Sequence, residues 1–121
     1  LQKFYADQKK YSFAFQMMAY ISRLNLLRNT IKENPNKIII TERSLFTDKY
    51  VFAKMLFDAG NMNEIEYQIY NNWFESFLDI APISKMIYLK TDPQISFNRI
   101  SIRNRDGDNN IPFSYINNCH L

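Results

Sequence analysis

Lys37-Ile38-Ile39-Ile40-Thr41-Glu42-Arg43-Ser44 decides how the chain reads. A short continuous β-branched run predicts a strand buried on both faces, and it ends on an acid, an arginine and a serine. Upstream, Phe13, Met17, Tyr20, Leu24, Leu27 and Ile31 recur at helical spacing. They predict a helix over 12–33, with Ser12 as N-cap and Pro35 closing it. Downstream, a second helix follows the Glu42-Arg43-Ser44 turn and ends near Gly60, a natural C′ residue. Asn63-Glu64-Ile65-Glu66 resembles a capping box. It starts a third helix with an apolar stripe through Ile65, Ile69, Trp73, Phe77 and Ile80 that ends at Pro82. Lys85-Met86-Ile87-Tyr88-Leu89-Lys90 predicts a second buried strand. Asp92-Pro93 opens another helix with Pro at N1, residues 104–110 form a polar loop, and Pro112 opens the last helix. Strand–helix–helix–strand–helix implies a parallel sheet flanked by helices, hence an α/β fold. Ligands of such sheets bind at the carboxyl ends of the strands.

Composition narrows the function classes. In 121 residues, 46% are hydrophobic and 16% aromatic, which excludes a disordered tail and allows one core. Fifteen basic residues are interleaved with twelve acidic ones, for a formal net charge of +3. That disfavours a nucleic-acid partner and allows an anionic ligand. One cysteine, Cys119, and one histidine, His120, exclude an internal disulfide and a cluster of such metal ligands within the chain. No apolar run predicts a membrane span, and no signal peptide is visible. The expected setting is therefore the cytoplasm, with a mitochondrial site as the alternative. Leu1 is not an initiator methionine and the last helix runs to Leu121, so the expectation is a piece truncated at both ends.

Three groups of residues carry candidate chemistry. Glu42 and Arg43 are delivered to the edge of the expected sheet. There an acid can hold Mg²⁺ through water and an arginine can neutralise a moving phosphoryl group; a solvated turn capped by Ser44 is the alternative. Gln16, Ala19, Tyr20 and Arg23 lie at i, i+3, i+4 and i+7, on one helix face. An amide and a guanidinium flank a small residue there, which suits the edge of a base; an ordinary polar face is the alternative. Arg99 and Arg103 share a face at i, i+4, with Arg105 just beyond. Their mutual repulsion is relieved by an anionic ligand; helix C-terminal arginines answering the macrodipole are the alternative. Gly107, among Asp and Asn residues, suggests a mobile lid.

Read together, these stretches resemble the deoxynucleoside kinases, in particular the deoxycytidine and deoxyguanosine kinases. The resemblance runs in register through Ser12-Phe13-Ala14-Phe15-Gln16, Ser22-Arg23, Glu42-Arg43-Ser44, Asp48-Lys49-Tyr50-Val51-Phe52-Ala53, Met62-Asn63-Glu64, Tyr70, Trp73, Ile87-Tyr88-Leu89, Pro93, Arg99-Ile100, Arg103-Asn104-Arg105, Ile111-Pro112 and Tyr115-Ile116. It implies a P-loop nucleoside-kinase-like fold, with residues 1–121 as the central part of one kinase domain. The implied activity is nucleotide salvage: transfer of the γ-phosphate of ATP or another nucleoside triphosphate, with Mg²⁺, to the 5′-hydroxyl of a deoxynucleoside.

The resemblance also implies residue roles. Gln16 pairs with the base and Phe52 stacks on it. Arg23 and Asp48 sense the base, as in the deoxycytidine/deoxyguanosine branch rather than the thymidine one. Tyr5 holds the sugar 3′-hydroxyl, together with Asp108 where the family usually has Glu. Arg43 contacts the 5′-oxygen and the moving phosphate, and Glu42 organises Mg²⁺. Arg99, Arg103 and Arg105 hold the donor phosphates. Cys119 stands where leucine is usual. The glycine-rich Gly-x-x-x-x-Gly-Lys-Ser/Thr loop does not occur in these residues. The resemblance puts it upstream, together with the general base, so the piece alone is expected to be inactive.

Two other readings compete. A nucleoside monophosphate kinase would call for additional basic contacts beside Gln16, Arg23 and Asp48. A non-catalytic helical module would have no need of Arg99, Arg103 and Arg105. The expected partners are the deoxynucleoside, the triphosphate and a second copy in a homodimer, with no membrane. Ile21, Leu24 and Phe74 are the candidates for an exposed apolar patch.

Overall fold

The computed structural model describes residues 2–80, 82–105, 108 and 111–120. The chain opens with α1 (Gln2–Ala6) and, after Asp7, the long α2 (Gln8–Glu33). Helix α2 starts four residues before the expected N-cap. Asp7 caps it instead, its side chain accepting from the Lys10 backbone N–H at 3.1 Å, while Ser12 lies inside the helix with a buried hydroxyl. The stripe on α2 behaves as its spacing predicts. Tyr20 and Leu24 are core, and Met17, Leu27 and Ile31 pack around them.

A continuous helical run follows Ser44: α3 (Leu45–Thr47), a π-helical turn (Asp48–Ala53) and α4 (Lys54–Asp58). The Ser44 side chain accepts from the Thr47 N–H. In the π-helical turn the Lys54 N–H reaches back to the carbonyl of Lys49, which accommodates one extra residue per turn. Such bulges re-aim the side chains they carry. Gly60 adopts φ +71° just after this run, the left-handed conformation expected of C′.

Helix α5 (Glu64–Ser76) carries the capping box in full. Asn63 accepts from the Glu66 N–H at 2.9 Å, and Glu66 accepts from the Asn63 N–H at 2.8 Å. Its orientation differs from the expected stripe. Tyr70 and Phe74 are the buried residues, with Tyr67 and Phe77 beside the core, whereas Ile65, Ile69 and Trp73 are exposed. Two stripes overlap on this helix, and the aromatic one buries more area. For the same reason Leu24 and Phe74 are core residues rather than an exposed patch; of the three candidates only Ile21 is exposed.

The α/β parallel-sheet expectation is overturned: the described residues contain no strand and no sheet. Residues 37–41 and 85–90 have no regular secondary structure, and Ile38, Ile40, Ile87 and Leu89 are all more than 80% exposed. A β-branched run states a preference for a pleated, buried surface. The strand itself exists only where a neighbour supplies the hydrogen-bond ladder, and neither segment supplies it to the other. The architecture described is helical.

After the 3₁₀ turn Leu78–Ile80 and the second extended segment come α6 (Pro93–Arg103) and α7 (Phe113–His120), which pack on each other. Asp92 caps α6 as expected, accepting from the Gln94 N–H at 2.8 Å. Asn104 ends α6 in the left-handed conformation, which asparagine tolerates better than most residues. Tyr5 of α1 meets Tyr115 of α7 edge-to-face at 6.0 Å. The lid expected around Gly107 lies outside the described residues.

Candidate functional site

A cavity of about 420 Å³ opens where α2, the π-helical turn and α7 meet. That volume lies within the range of small-molecule sites. Its walls come from four places. Helix α2 supplies Phe15, Gln16, Ala19 and Arg23, and the turn before α3 supplies Arg43. The π-helical turn supplies Asp48 and Phe52. Tyr5, Arg103, Asp108, Ile111, Tyr115 and Cys119 close the other side.

The spacing on α2 is what aims Gln16, Ala19 and Arg23 at one space. Tyr20, read as part of the same face, instead turns into the core and donates its hydroxyl to the Trp73 carbonyl at 3.3 Å. Between Gln16 and Arg23, Ala19 leaves room that a larger side chain would fill. The π-helical turn places Asp48 opposite them. Gln16 Nε2 donates to the Asp48 backbone carbonyl at 3.1 Å, and Arg23 Nε stands 3.1 Å from Asp48 Oδ2.

This ion pair is incompletely satisfied. The Asp48 side chain is only 4% exposed. Although Arg23 Nε and Asp48 Oδ2 are close, the N–H is not aimed at the oxygen, and among the described residues both buried atoms lack a hydrogen bond. Burial pushes the Asp48 carboxyl above its ordinary range, and Arg23 and Arg43 pull it back only in part. A carboxyl raised in the folded state contributes stability that is fully present below its unfolded value and is lost as pH rises through the folded one. Burying the Asp48 carboxylate thus costs stability at neutral pH, which Arg23 offsets only in part, and it leaves a buried donor and a buried acceptor for a ligand.

Arg43 lies with its guanidinium carbon 4.8 Å from the centre of the Phe52 ring, a cation–π contact that fixes both side chains. Arg103 and Asp108 form a two-pronged pair at 3.0 and 2.9 Å, and Asp108 also accepts from the Arg105 N–H at 3.0 Å. Hydrogen bonding to Arg103 holds the Asp108 carboxyl below the usual range. Burial raises the Tyr5 hydroxyl, with Cys119 and Asp108 adding to it.

Of the residues singled out in the sequence, Tyr5, Gln16, Arg23, Arg43, Asp48, Phe52, Arg103 and Asp108 share this cavity. Glu42 does not line it: its side chain is 95% exposed, 3.9 Å from Arg43. Arg99 and Arg105 are exposed and stand off its walls. The spacing had singled out neither Phe15 nor Cys119 for this wall. Tyr115 and Cys119 lie four residues apart on α7, so helical spacing pairs them on one face. Cys119 donates to Met55 Sδ at 3.7 Å, and burial raises its thiol.

Among the described residues no three potential His, Cys, Asp or Glu ligands gather around a metal position. A lone exposed carboxylate, Glu42, suits a Mg²⁺ held mainly by phosphate oxygens and water rather than by a protein cage. No described helix is long and apolar enough to cross a membrane.

The chain is similar to known proteins along nearly its whole length. A family model described as deoxynucleoside kinase matches residues 1–121. A probable deoxycytidine kinase of fowlpox virus is 37% identical over 123 residues, covering 99% of this chain and 52% of its own length. Rat deoxycytidine kinase is 33% identical over 128 residues, covering 99% and 49%. The mitochondrial deoxyguanosine kinase of Xenopus laevis is 29% identical, covering 99% and 48%. The chain thus spans about half the length of the curated relatives it matches.

Proposed function

This chain belongs to the deoxynucleoside kinase family, and from that premise we propose that the complete protein phosphorylates the 5′-hydroxyl of a deoxynucleoside, with deoxycytidine or a purine deoxynucleoside favoured over thymidine. Residues 1–121 then form the central part of one kinase domain. The observation that carries the substrate assignment is the buried Arg23–Asp48 pair, whose facing atoms are close yet lack hydrogen bonds. A base with an amino group can donate to Asp48 Oδ2, and a ring acceptor can take the Arg23 N–H. Thymine brings a carbonyl and a methyl group to the same place, so it leaves the carboxylate unsatisfied in a buried wall.

The other residues divide the remaining work. Phe52 offers a flat apolar face to the base. Tyr5 and Asp108 present a hydroxyl and a carboxylate for a sugar hydroxyl. Arg43, steadied by Phe52, places a fixed positive charge where the 5′-oxygen and the transferring phosphoryl group meet. Arg103, from the end of α6, can exchange Asp108 for a donor phosphate and so report that the sugar is in place. Arg99 and Arg105 add charge for the donor triphosphate, with ATP as the reference donor. Mg²⁺, which Glu42 would hold through water, supplies neutralisation of the triphosphate charge.

A substrate panel on the full-length protein tests this reading. With ATP and Mg²⁺, kcat/KM for deoxycytidine or a purine deoxynucleoside should exceed that for thymidine by about tenfold or more, the scale of one unsatisfied buried polar group. A thymidine-preferring enzyme would remove the role given to Arg23 and Asp48. We also propose a homodimer, supported by Ile21, Ile65, Ile69 and Trp73, large apolar side chains left exposed on α2 and α5. Sedimentation at micromolar concentration should give twice the chain mass; a monomer there rules the dimer out.

A further inference from the structure

The π-helical turn that carries Asp48 and Phe52 has nothing in its own sequence that imposes its register. Asp48-Lys49-Tyr50-Val51-Phe52-Ala53 holds neither the proline nor the glycine that commonly disturbs an α-helix. An α-helical ladder would satisfy the same backbone, so contacts from outside the turn select the wider register. Two such contacts grip it, one from each side. From α2, Gln16 Nε2 donates to the Asp48 carbonyl at 3.1 Å, a side chain bonded into the backbone of the turn itself. From α5, the grip is on Lys49, whose Nζ lies 3.3 Å from Glu75 Oε1 and 4.6 Å from the centre of the Phe74 ring. The Lys49 side chain is only 13% exposed, so its charge is largely withdrawn from water. The backbone carbonyl of the same residue accepts the Lys54 N–H five residues on, which is the π-helical bond. Lys49 thus ties the bond that defines the turn to α5, a helix that contributes no residue to the cavity wall.

We propose that Lys49 is a positioning residue for base choice: its ammonium, held by Glu75 and the face of Phe74, keeps residues 48–53 in the π-register that brings both Asp48 and Phe52 to the cavity. The inference rests on the nucleoside-kinase reading and deepens it. Asp48 and Phe52 are four residues apart, and both line the cavity. Narrowing the turn to an α-register removes its extra residue and rotates Phe52 about the helix axis relative to Asp48. The carboxylate and the ring then no longer meet one base in the same pose. Lys49 touches no substrate in this scheme. It acts through the backbone of its own turn, from the side of the turn that faces α5.

The experiment compares the full-length wild type with Lys49→Met, Lys49→Arg, Glu75→Gln and Lys54→Met, using kcat/KM for deoxycytidine and thymidine. Lys49→Met keeps an apolar stem and removes the charge. Its deoxycytidine/thymidine ratio should fall about tenfold, the scale of a desolvated cation–π contact together with its ion pair. The fall should appear mainly as a higher KM for deoxycytidine, because the turn meets the base and not the reacting atoms. Lys49→Arg can keep both contacts and should restore the ratio to within about twofold of wild type. Glu75→Gln, at a side chain 62% exposed, should lower the ratio only about threefold, because water already screens that half of the grip. Lys54 adjoins the same turn, but its ammonium pairs with Asp58 of its own helix at 2.7 Å, so Lys54→Met should keep the wild-type ratio. A merely structural lysine would lower the use of both nucleosides together and leave the ratio alone. A folded Lys49→Met enzyme with the wild-type ratio, or a Lys49→Arg ratio as low as that of Lys49→Met, overturns the positioning role alone. If Lys49→Met does not fold, a wild-type ratio in Glu75→Gln overturns it. A wild type that phosphorylates no deoxynucleoside, or that prefers thymidine, overturns the substrate reading and this inference with it.

Discussion

Asp48→Ala in the full-length protein is expected to lower kcat/KM for deoxycytidine by an amount equivalent to about 2–5 kcal/mol, the scale for breaking one side of a buried charge pair. The loss has two sources. The ligand loses the acceptor at Oδ2, and the positive charges of Arg23 and Arg43, both of which favour this carboxylate, lose the charge that offsets them. Because the Arg23 side chain is 29% exposed, water relieves part of the penalty and keeps it below that of a sealed pair. The double change Arg23→Met with Asp48→Ala removes the repulsion and the stranded charge together. It should therefore be less damaging than Asp48→Ala alone, and it should move preference toward thymidine. Kinetics on four deoxynucleosides decide the matter. A double variant with the wild-type ranking would show that these two residues do not choose the base.

The second large effect is on stability. Phe74→Ala is expected to cost about 3–5 kcal/mol, measured by urea denaturation of the full-length protein, because a buried aromatic ring leaves a cavity as well as losing its transfer energy. Phe74 is 1% exposed and lies where three elements meet. Phe46 meets it edge-to-face at 5.5 Å, Tyr20 lies 5.9 Å away, and the Lys49 ammonium sits 4.6 Å above the ring. Lys49 adjoins Asp48, so the same packing holds the π-helical turn against α2. Activity should fall with stability, and a midpoint shift equivalent to less than about 1 kcal/mol would mean that the site collapses around the gap. The contrast with Trp73, its neighbour in sequence, is instructive: that residue is half exposed, and its ring stacks on Phe77 at 5.6 Å.

Local chemistry was legible wherever its cause is local. Asn63 with Glu66, Asp92 with Pro93 and Gly60 after Asp58 declare helix ends through groups a few residues apart, and each stands where its spacing puts it. The stripe on α2 likewise brings Gln16, Ala19 and Arg23 to one cavity, because 3.6 residues per turn is a property of the backbone alone. The ordered series of residues shared with the deoxynucleoside kinases identified the family.

What depends on distant partners was not legible. Ile38-Ile39-Ile40 and Ile87-Tyr88-Leu89 carry the composition of buried strands, yet a ladder needs a second chain segment in register, and the described residues do not pair them. The face that α5 buries was chosen by where Tyr20 and Phe46 stand, not by its isoleucines. Tertiary structure alone decided between the two faces that the spacing offered Tyr20 and set Glu42 outside the cavity wall. Spacing determines which side chains share a face of an element. The environment that face meets is settled by the competition of all elements for the same buried volume.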